Sequence, residues 1–406
     1  MTRILSILLY FAILIQNALS AVVVPKNVAV VPTVDSLFTL STGAGSCASK
    51  TTVINTYLSE CVQLMDALLT AYHSYGTVTA YRTMFEVYLS AKFDGTTVSS
   101  DSGQWTTIET RLTNVATFLS GGGITGAKTN TKPRLFCDDT FAELKTWQTV
   151  ARDGNGKEMF DEDDDEVMIL EVYPKIKDRQ VAGLESGSVD ATISPFWVPS
   201  LNGYTFSTLD PSYTTLCQKP GRMALTSRAD TNAGAEAGSP SGYTYATFDR
   251  HLLLCPDSFS PSGNGPHTIA SLSALVSSTN YPVEGLKQLP LSTISATLFH
   301  ELFHLVDVAG TDNDNNLQSF LPILDASYSK KSPNTVNAPE PYALFATAAY
   351  LYQNPPGGDD PVLEACNLGG PSSGTFKEEQ MYLSLEVSRI LLISWATTSF
   401  KFLFEY

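Results

Sequence analysis

The chain has 406 residues, enough for about two or three domains or one enlarged domain. Apolar residues make up 43% and charged residues 16%, which supports a sizeable core and excludes wholesale disorder. With 25 Lys plus Arg against 41 Asp plus Glu, a formal balance of −16, the chain lacks the basic face of a nucleic-acid binder and the polybasic stretch of a membrane-surface protein.

Thr2 and Arg3 precede an apolar run from Ile4 to Ile15, followed by Asn17-Ala18-Leu19-Ser20-Ala21. This charged, apolar, small-residue order is that of a secretory signal peptide, so residues 1–20 are expected to be cut near Ser20 and Ala21 and the protein to be secreted and extracellular. The run is too short to cross roughly 30 Å of hydrocarbon. Export favours disulfides, and Cys47, Cys61, Cys137, Cys217, Cys255 and Cys366 suffice for three. Cys47 and Cys61 are the most local pair, and no Cys-x-x-Cys is present to build a thiolate zinc site.

Residues 21–45, rich in Val, Pro, Ser and Thr, read as a linker or short pro-segment. Ile54, Leu58, Val62, Met65, Leu68 and Leu69 then recur at helical spacing. Further helices are expected over 79–91 and 106–119, the second stopped by Gly121-Gly122-Gly123. Beyond about residue 130, β-rich runs such as Val167 to Tyr173 alternate with Gly, Pro, Asn and Ser clusters, as strands alternate with loops. The acidic run Asp161 to Glu166 does not match the twelve-residue calcium-loop spacing and reads as a solvated loop. No internal repeat is apparent. Near the end, Ile390 to Phe400 is apolar but bounded by Arg389 and Lys401, too short for a membrane span and expected to form a docked helix.

The most informative residues are His300-Glu301-Leu302-Phe303-His304, in a chain with only five His. Ser292 and Thr293 stand as N-caps before them, and Gly310 stands where a helix would stop. On a helix, His300 and His304 project one turn apart from one face, a spacing that lets two imidazoles reach one zinc ion. Glu301 lies beside that face, placed to hold a water rather than the metal. Leu298, Phe299, Leu302, Phe303, Leu305 and Val306 would bury the remainder of the helix. A catalytic zinc needs a third protein ligand and one open position. Asp312 and Asp314 follow within reach, while Asp307 suits an outer role. His73, His251 and His267 have no partner at ligand spacing and read as surface or structural residues.

In these residues the chain resembles the secreted fungal aspzincin metallopeptidases, the deuterolysin and lysine-specific endopeptidase group, which carry His-Glu-x-x-His followed by Gly-Thr-x-Asp. Asn337-Ala338-Pro339-Glu340-Pro341-Tyr342-Ala343-Leu344-Phe345-Ala346 is similar to the family's helix after the site, and Phe136-Cys137-Asp138-Asp139 and Leu254-Cys255-Pro256 to earlier landmarks. The resemblance implies an Asp as third zinc ligand. Asn313 occupies the family's position here, with Asp312 and Asp314 on either side; spacing from His304 favours Asp314, and Asp312 stays as the alternative. The family's following Tyr-Gly, whose phenol helps stabilise the oxyanion, is replaced by Asn315-Asn316-Leu317-Gln318. Tyr328 and Tyr342 are the candidate substitutes, the latter expected to pack the next helix.

The resemblance implies a mainly helical α+β fold with a zincin-like catalytic core and an active-site helix carrying the motif. The peptidase domain would cover 46–355, with a C-terminal extension over 356–406. It further implies a zinc-dependent endopeptidase in which Glu301 is the general base and His300, His304 and Asp314 (or Asp312) hold Zn2+. Its partner would be a protein or peptide substrate, with no nucleic acid and no membrane, and the chain is expected to be a monomer. The alternative is a non-catalytic secreted zinc-binding protein, a zinc scavenger or cell-wall antigen derived from a peptidase fold. The absent Tyr-Gly favours that alternative, and the intact Glu301 disfavours it.

Overall fold

A computed structural model describes residues 23–99, 102–124, 132–219, 221–227, 241–244, 250–259, 270–277, 293–306, 323 and 332–355. The apolar spacing from Ile54 to Leu69 is realised as α1 (Thr51–Ser74), with Ile54, Leu58, Cys61, Met65 and Leu68 all buried along one face. α2 (Thr79–Leu89) ends where Ser90 turns left-handed at φ 55°. α3 (Ser102–Leu119) starts four residues before the expected Thr106 and stops as foreseen, with Gly121 at φ 84°. α4 (Pro174–Ser186) begins on a proline, whose missing N–H costs a first turn nothing. α5 (Ile294–Val306) and α6 (Pro339–Gln353) complete the long helices, and α6 packs on α1, α2 and α5.

The main sheet has the order β1-β4-β9-β8, from Thr39–Leu40, Arg134–Phe136, His251–Leu254 and Ala224–Ser227. β1, β4 and β9 run parallel, and β8 runs antiparallel to β9 at the end of the sheet. Strand alternation sorts its side chains. Leu135, Leu252 and Leu254 enter the helical core, whereas Phe136 and Leu253 pack on the other face with Phe141, Phe196 and Val198. A hairpin of β2 (Phe93–Asp94) and β3 (Thr97–Val98) follows α2. A smaller unit is built on the antiparallel sheet β5 (Glu143–Leu144), β6 (Ile193–Val198) and β7 (Gly203–Thr208), with its own core around Trp147, Met159, Ile169, Trp197 and Phe206. The molecule is thus α+β, with helix outweighing strand.

Three sequence expectations change. The run Val167 to Tyr173 is not a strand: Ile169–Val172 is a helical turn, with Glu171 accepting from the Met168 N–H at 2.6 Å. Ile169, Val172 and Tyr173 are all buried, and their spacing of three and four is helical. Cys47 pairs with Cys137, not Cys61, and Cys217 pairs with Cys255. Cys61 is unbridged because α1 points it inward, where its Sγ lies 3.5 Å from the carbonyl of Ser295. Cys366 lies outside the described residues. Finally, the segment read as a linker or pro-segment contributes Val24, Val28, Val34, Leu37 and Phe38 to the main core and supplies β1. The acidic run forms an exposed turn as expected. No described helix is long and apolar enough to cross a membrane, and the signal and C-terminal segments lie outside the described residues.

Candidate functional site

α5 starts at Ile294 because Thr293 caps it: its Oγ1 accepts from the Ala296 N–H at 3.2 Å, and its carbonyl takes the same amide at 3.1 Å. Every residue from Ile294 to Val306 is buried. The apolar ones named from sequence pack against neighbouring helices, with Phe303 stacked on Tyr342 of α6 at 4.7 Å between centroids. This leaves His300, Glu301 and His304 buried yet gathered on one side, at 8%, 7% and 4% exposure.

The two imidazoles lie one turn apart, 4.9 Å between ring centroids and 74° between planes. Burial pushes the His300 pKa down to about 4, so its ring is neutral at physiological pH and can offer a lone pair to a metal. Glu340, in the first turn of α6, places Oε1 3.6 Å from His300 Nδ1, on the ring edge opposite Nε2. Glu301 Oε1 lies 4.0 Å from Nε2.

Glu301 is tied to the sheet. The Thr226 hydroxyl on β8 lies in short hydrogen-bond contact with Glu301 Oε2, and 3.3 Å from the main-chain oxygen of the same residue. Arg222, just before β8, donates to the Leu216 carbonyl at 2.7 Å. Its guanidinium pKa is pushed down by burial, and the Glu301 charge opposes that shift. Buried Arg250, preceding β9, donates to the carbonyls of Leu305 at 2.6 Å and His304 at 3.5 Å, satisfying two acceptors at the end of α5.

The structure therefore brings His300, Glu301 and His304 together on one helix. Ser292, Asp307, Gly310, Asp312, Asp314, His267 and Tyr328 lie outside the described residues. Among the described residues, no group of three His, Cys, Asp or Glu is arranged to hold a metal ion. Tyr342 is fully buried, and its hydroxyl donates to the Val336 carbonyl at 3.1 Å, which makes it a packing residue. His73 is exposed against the Pro25 carbonyl, and His251 is buried edge-on to the stacked pair Phe136 and Phe141. Sequence reasoning missed Thr226, Arg222, Arg250 and Glu340 as neighbours of the motif. Only Glu340 carried a signal, an acid entering the first turn of an otherwise apolar helix. No family model, curated protein or solved structure matches this chain.

Proposed function

We propose that the chain is a secreted zinc-dependent endopeptidase on a zincin-like core, with Glu301 as general base. The observation that carries the reading is the pair of buried imidazoles 4.9 Å apart on α5 with a carboxylate between that pair and strand β8. Two imidazoles one helical turn apart and a flanking acid are a donor set that suits zinc. His300 and His304 would hold the ion, and Asp314, or Asp312, would complete its protein ligands. When bound, zinc supplies Lewis acidity, polarising the scissile carbonyl and acidifying the attacking water.

The remaining work falls to the chain itself. Glu340, with Oε1 3.6 Å from Nδ1, would help orient the His300 ring and leave Nε2 as the nitrogen to hold a metal. Glu301 takes the proton from water as the carbonyl is attacked and returns it to the leaving amine. Among the described residues β8 pairs with β9, which fixes Thr226 beside Glu301. Two disulfides fit the oxidising compartment that secretion implies.

The test compares casein digestion and zinc binding of the full chain with those of Glu301→Gln. The peptidase reading expects zinc affinity within about threefold and hydrolysis reduced by about a thousandfold or more. Zinc binding without hydrolysis in the unaltered chain would replace it with the scavenger reading, and absence of zinc binding would remove both.

A further inference from the structure

We propose that Thr226 is a positioning residue for Glu301, fixing which carboxylate oxygen serves as the base; the inference rests on the hydrolytic reading above. Thr226 lies on the face of β8 turned toward α5, as does Ala224, which packs on the main core. The strand beneath it is well anchored. β8 pairs with β9 from Ala224 to Ser227, in register Thr226 opposite Leu252. Its entry is pinned by the Cys217–Cys255 disulfide and by the Cys255 N–H donating to the Met223 carbonyl at 2.8 Å. A β-branched side chain on such a strand has few rotamers open to it, so the hydroxyl is held in place.

That hydroxyl has one proton to give. The shorter contact, to Oε2, takes it in preference to the main-chain oxygen at 3.3 Å. A hydrogen bond to a carboxylate is charge-assisted and directional, so Oε2 becomes the anchored oxygen. Oε1, 4.0 Å from His300 Nε2, is then the oxygen turned toward the imidazole face, where the water must be received. The division of labour is specific: one oxygen holds the rotamer and the other moves the proton. It also couples the base to a strand held rigidly by its pairing with β9.

A merely structural strap between β8 and α5 would predict something else, and three variants of the full secreted chain separate the two. Thr226→Val keeps volume and branching but removes the donor, Thr226→Ser keeps the donor, and Thr226→Ala removes both. For Thr226→Val the expected result is a kcat on a peptide substrate lowered about 10- to 100-fold, with KM and zinc affinity within about twofold. Thr226→Ser should recover kcat to within about threefold, and Thr226→Ala should resemble Thr226→Val. The proposal is overturned if Thr226→Val keeps its kcat, if Thr226→Ser falls as far as Thr226→Val, or if the loss lies in KM or zinc affinity. An unaltered chain that binds zinc but hydrolyses nothing would instead overturn the hydrolytic reading, and this inference with it.

Discussion

The helical region around α5 and the smaller unit on β5, β6 and β7 bury different kinds of groups. Among the described residues, the first holds Glu60, Arg111, Arg250, His300, Glu301, His304 and Glu340 at no more than 9% exposure, whereas the second holds Asp153 as its one comparable group. Burying an ionisable side chain costs several kcal/mol unless partners offset it. The smaller unit avoids that cost with rings: Trp147 stacks on Phe206 at 5.6 Å, and Trp197 meets Tyr204 edge-on at 4.9 Å. The lesson is that the region retaining the expensive groups is the one where chemistry is sought.

The comparison can be broken most forcefully by truncating one ring in each region. Phe303→Ala removes the ring stacked on Tyr342, and Trp197→Ala removes the centre of the smaller core; each should destabilise by about 3–5 kcal/mol. On the proposed zinc reading, their effects on zinc affinity should diverge. Phe303 sits between the two histidines in sequence and locks α5 against α6, so its loss should weaken zinc binding at least about tenfold. Trp197→Ala should leave zinc affinity within about twofold. Thermal melts paired with zinc titrations check both, and an equal loss of affinity in the two variants would erase the distinction between the regions.

A second way to sharpen it uses pH. His251 is fully buried on the sheet face away from α5, edge-on to Phe136 at 5.7 Å and Phe141 at 5.5 Å, and neither ring nitrogen has a hydrogen-bond partner among the described residues. Burial pushes its pKa from 6.5 down to about 3. Above pH 6.5 the ring is neutral in both states and costs nothing. As pH falls below 6.5, the unfolded chain binds a proton that the folded chain refuses, so stability drops until about pH 3. Between pH 7 and pH 5 this one residue accounts for about 2 kcal/mol of lost stability. In His251→Phe the difference between urea unfolding free energies at those two pH values should shrink by about that amount. An unchanged difference would show that the ring finds a partner when protonated.

What the sequence made legible follows from how far apart the cooperating residues lie. α1 and α5 were readable because a helix repeats its buried face within a few residues, and the two histidines of the motif sit within one turn. The caps were local too: Thr293 and Gly121 act on their own neighbours. Val167 to Tyr173 failed because a short apolar run reads equally as strand or helix, and it is Glu171, accepting from the Met168 N–H, that closes the run as a helical turn. Thr226, Arg250 and Glu340 reach the motif from β8, from the start of β9 and from α6, separations of 75, 54 and 40 residues that no period encodes. The disulfides were opaque for the same reason, since Cys47 and Cys137 are brought together by the pairing of β1 with β4 across 90 residues.

The same limit hid a small repeat, and it yields the smallest expected effect. Ala151, Met159 and Val167, eight residues apart, close a ring of backbone hydrogen bonds: Ala151 donates to Val167, Met159 to Ala151 and Val167 to Met159, at 2.7, 2.9 and 3.0 Å. Two like turns lie between them. Asp153 Oδ1 accepts from the amides of Asn155 and Lys157, and Asp161 Oδ1 accepts from those of Asp163 and Asp165, all at 2.9 Å. The turns share a left-handed residue, Gly156 at φ 78° and Asp164 at φ 62°. They differ in burial, Asp153 at 6% against an exposed Asp161. For Asp153, burial would raise the pKa, but the bonds from Lys157 and Asn155 outweigh it and hold the carboxyl below its ordinary range. Asp153→Ala should therefore cost about 1–2 kcal/mol in chemical unfolding, because it strands two buried-side amides. Asp161→Ala, whose amides can turn to water, should cost less. Neither change should move zinc affinity, and a zinc effect from Asp153→Ala would mean that the smaller unit's one buried acid is joined to the histidine site after all.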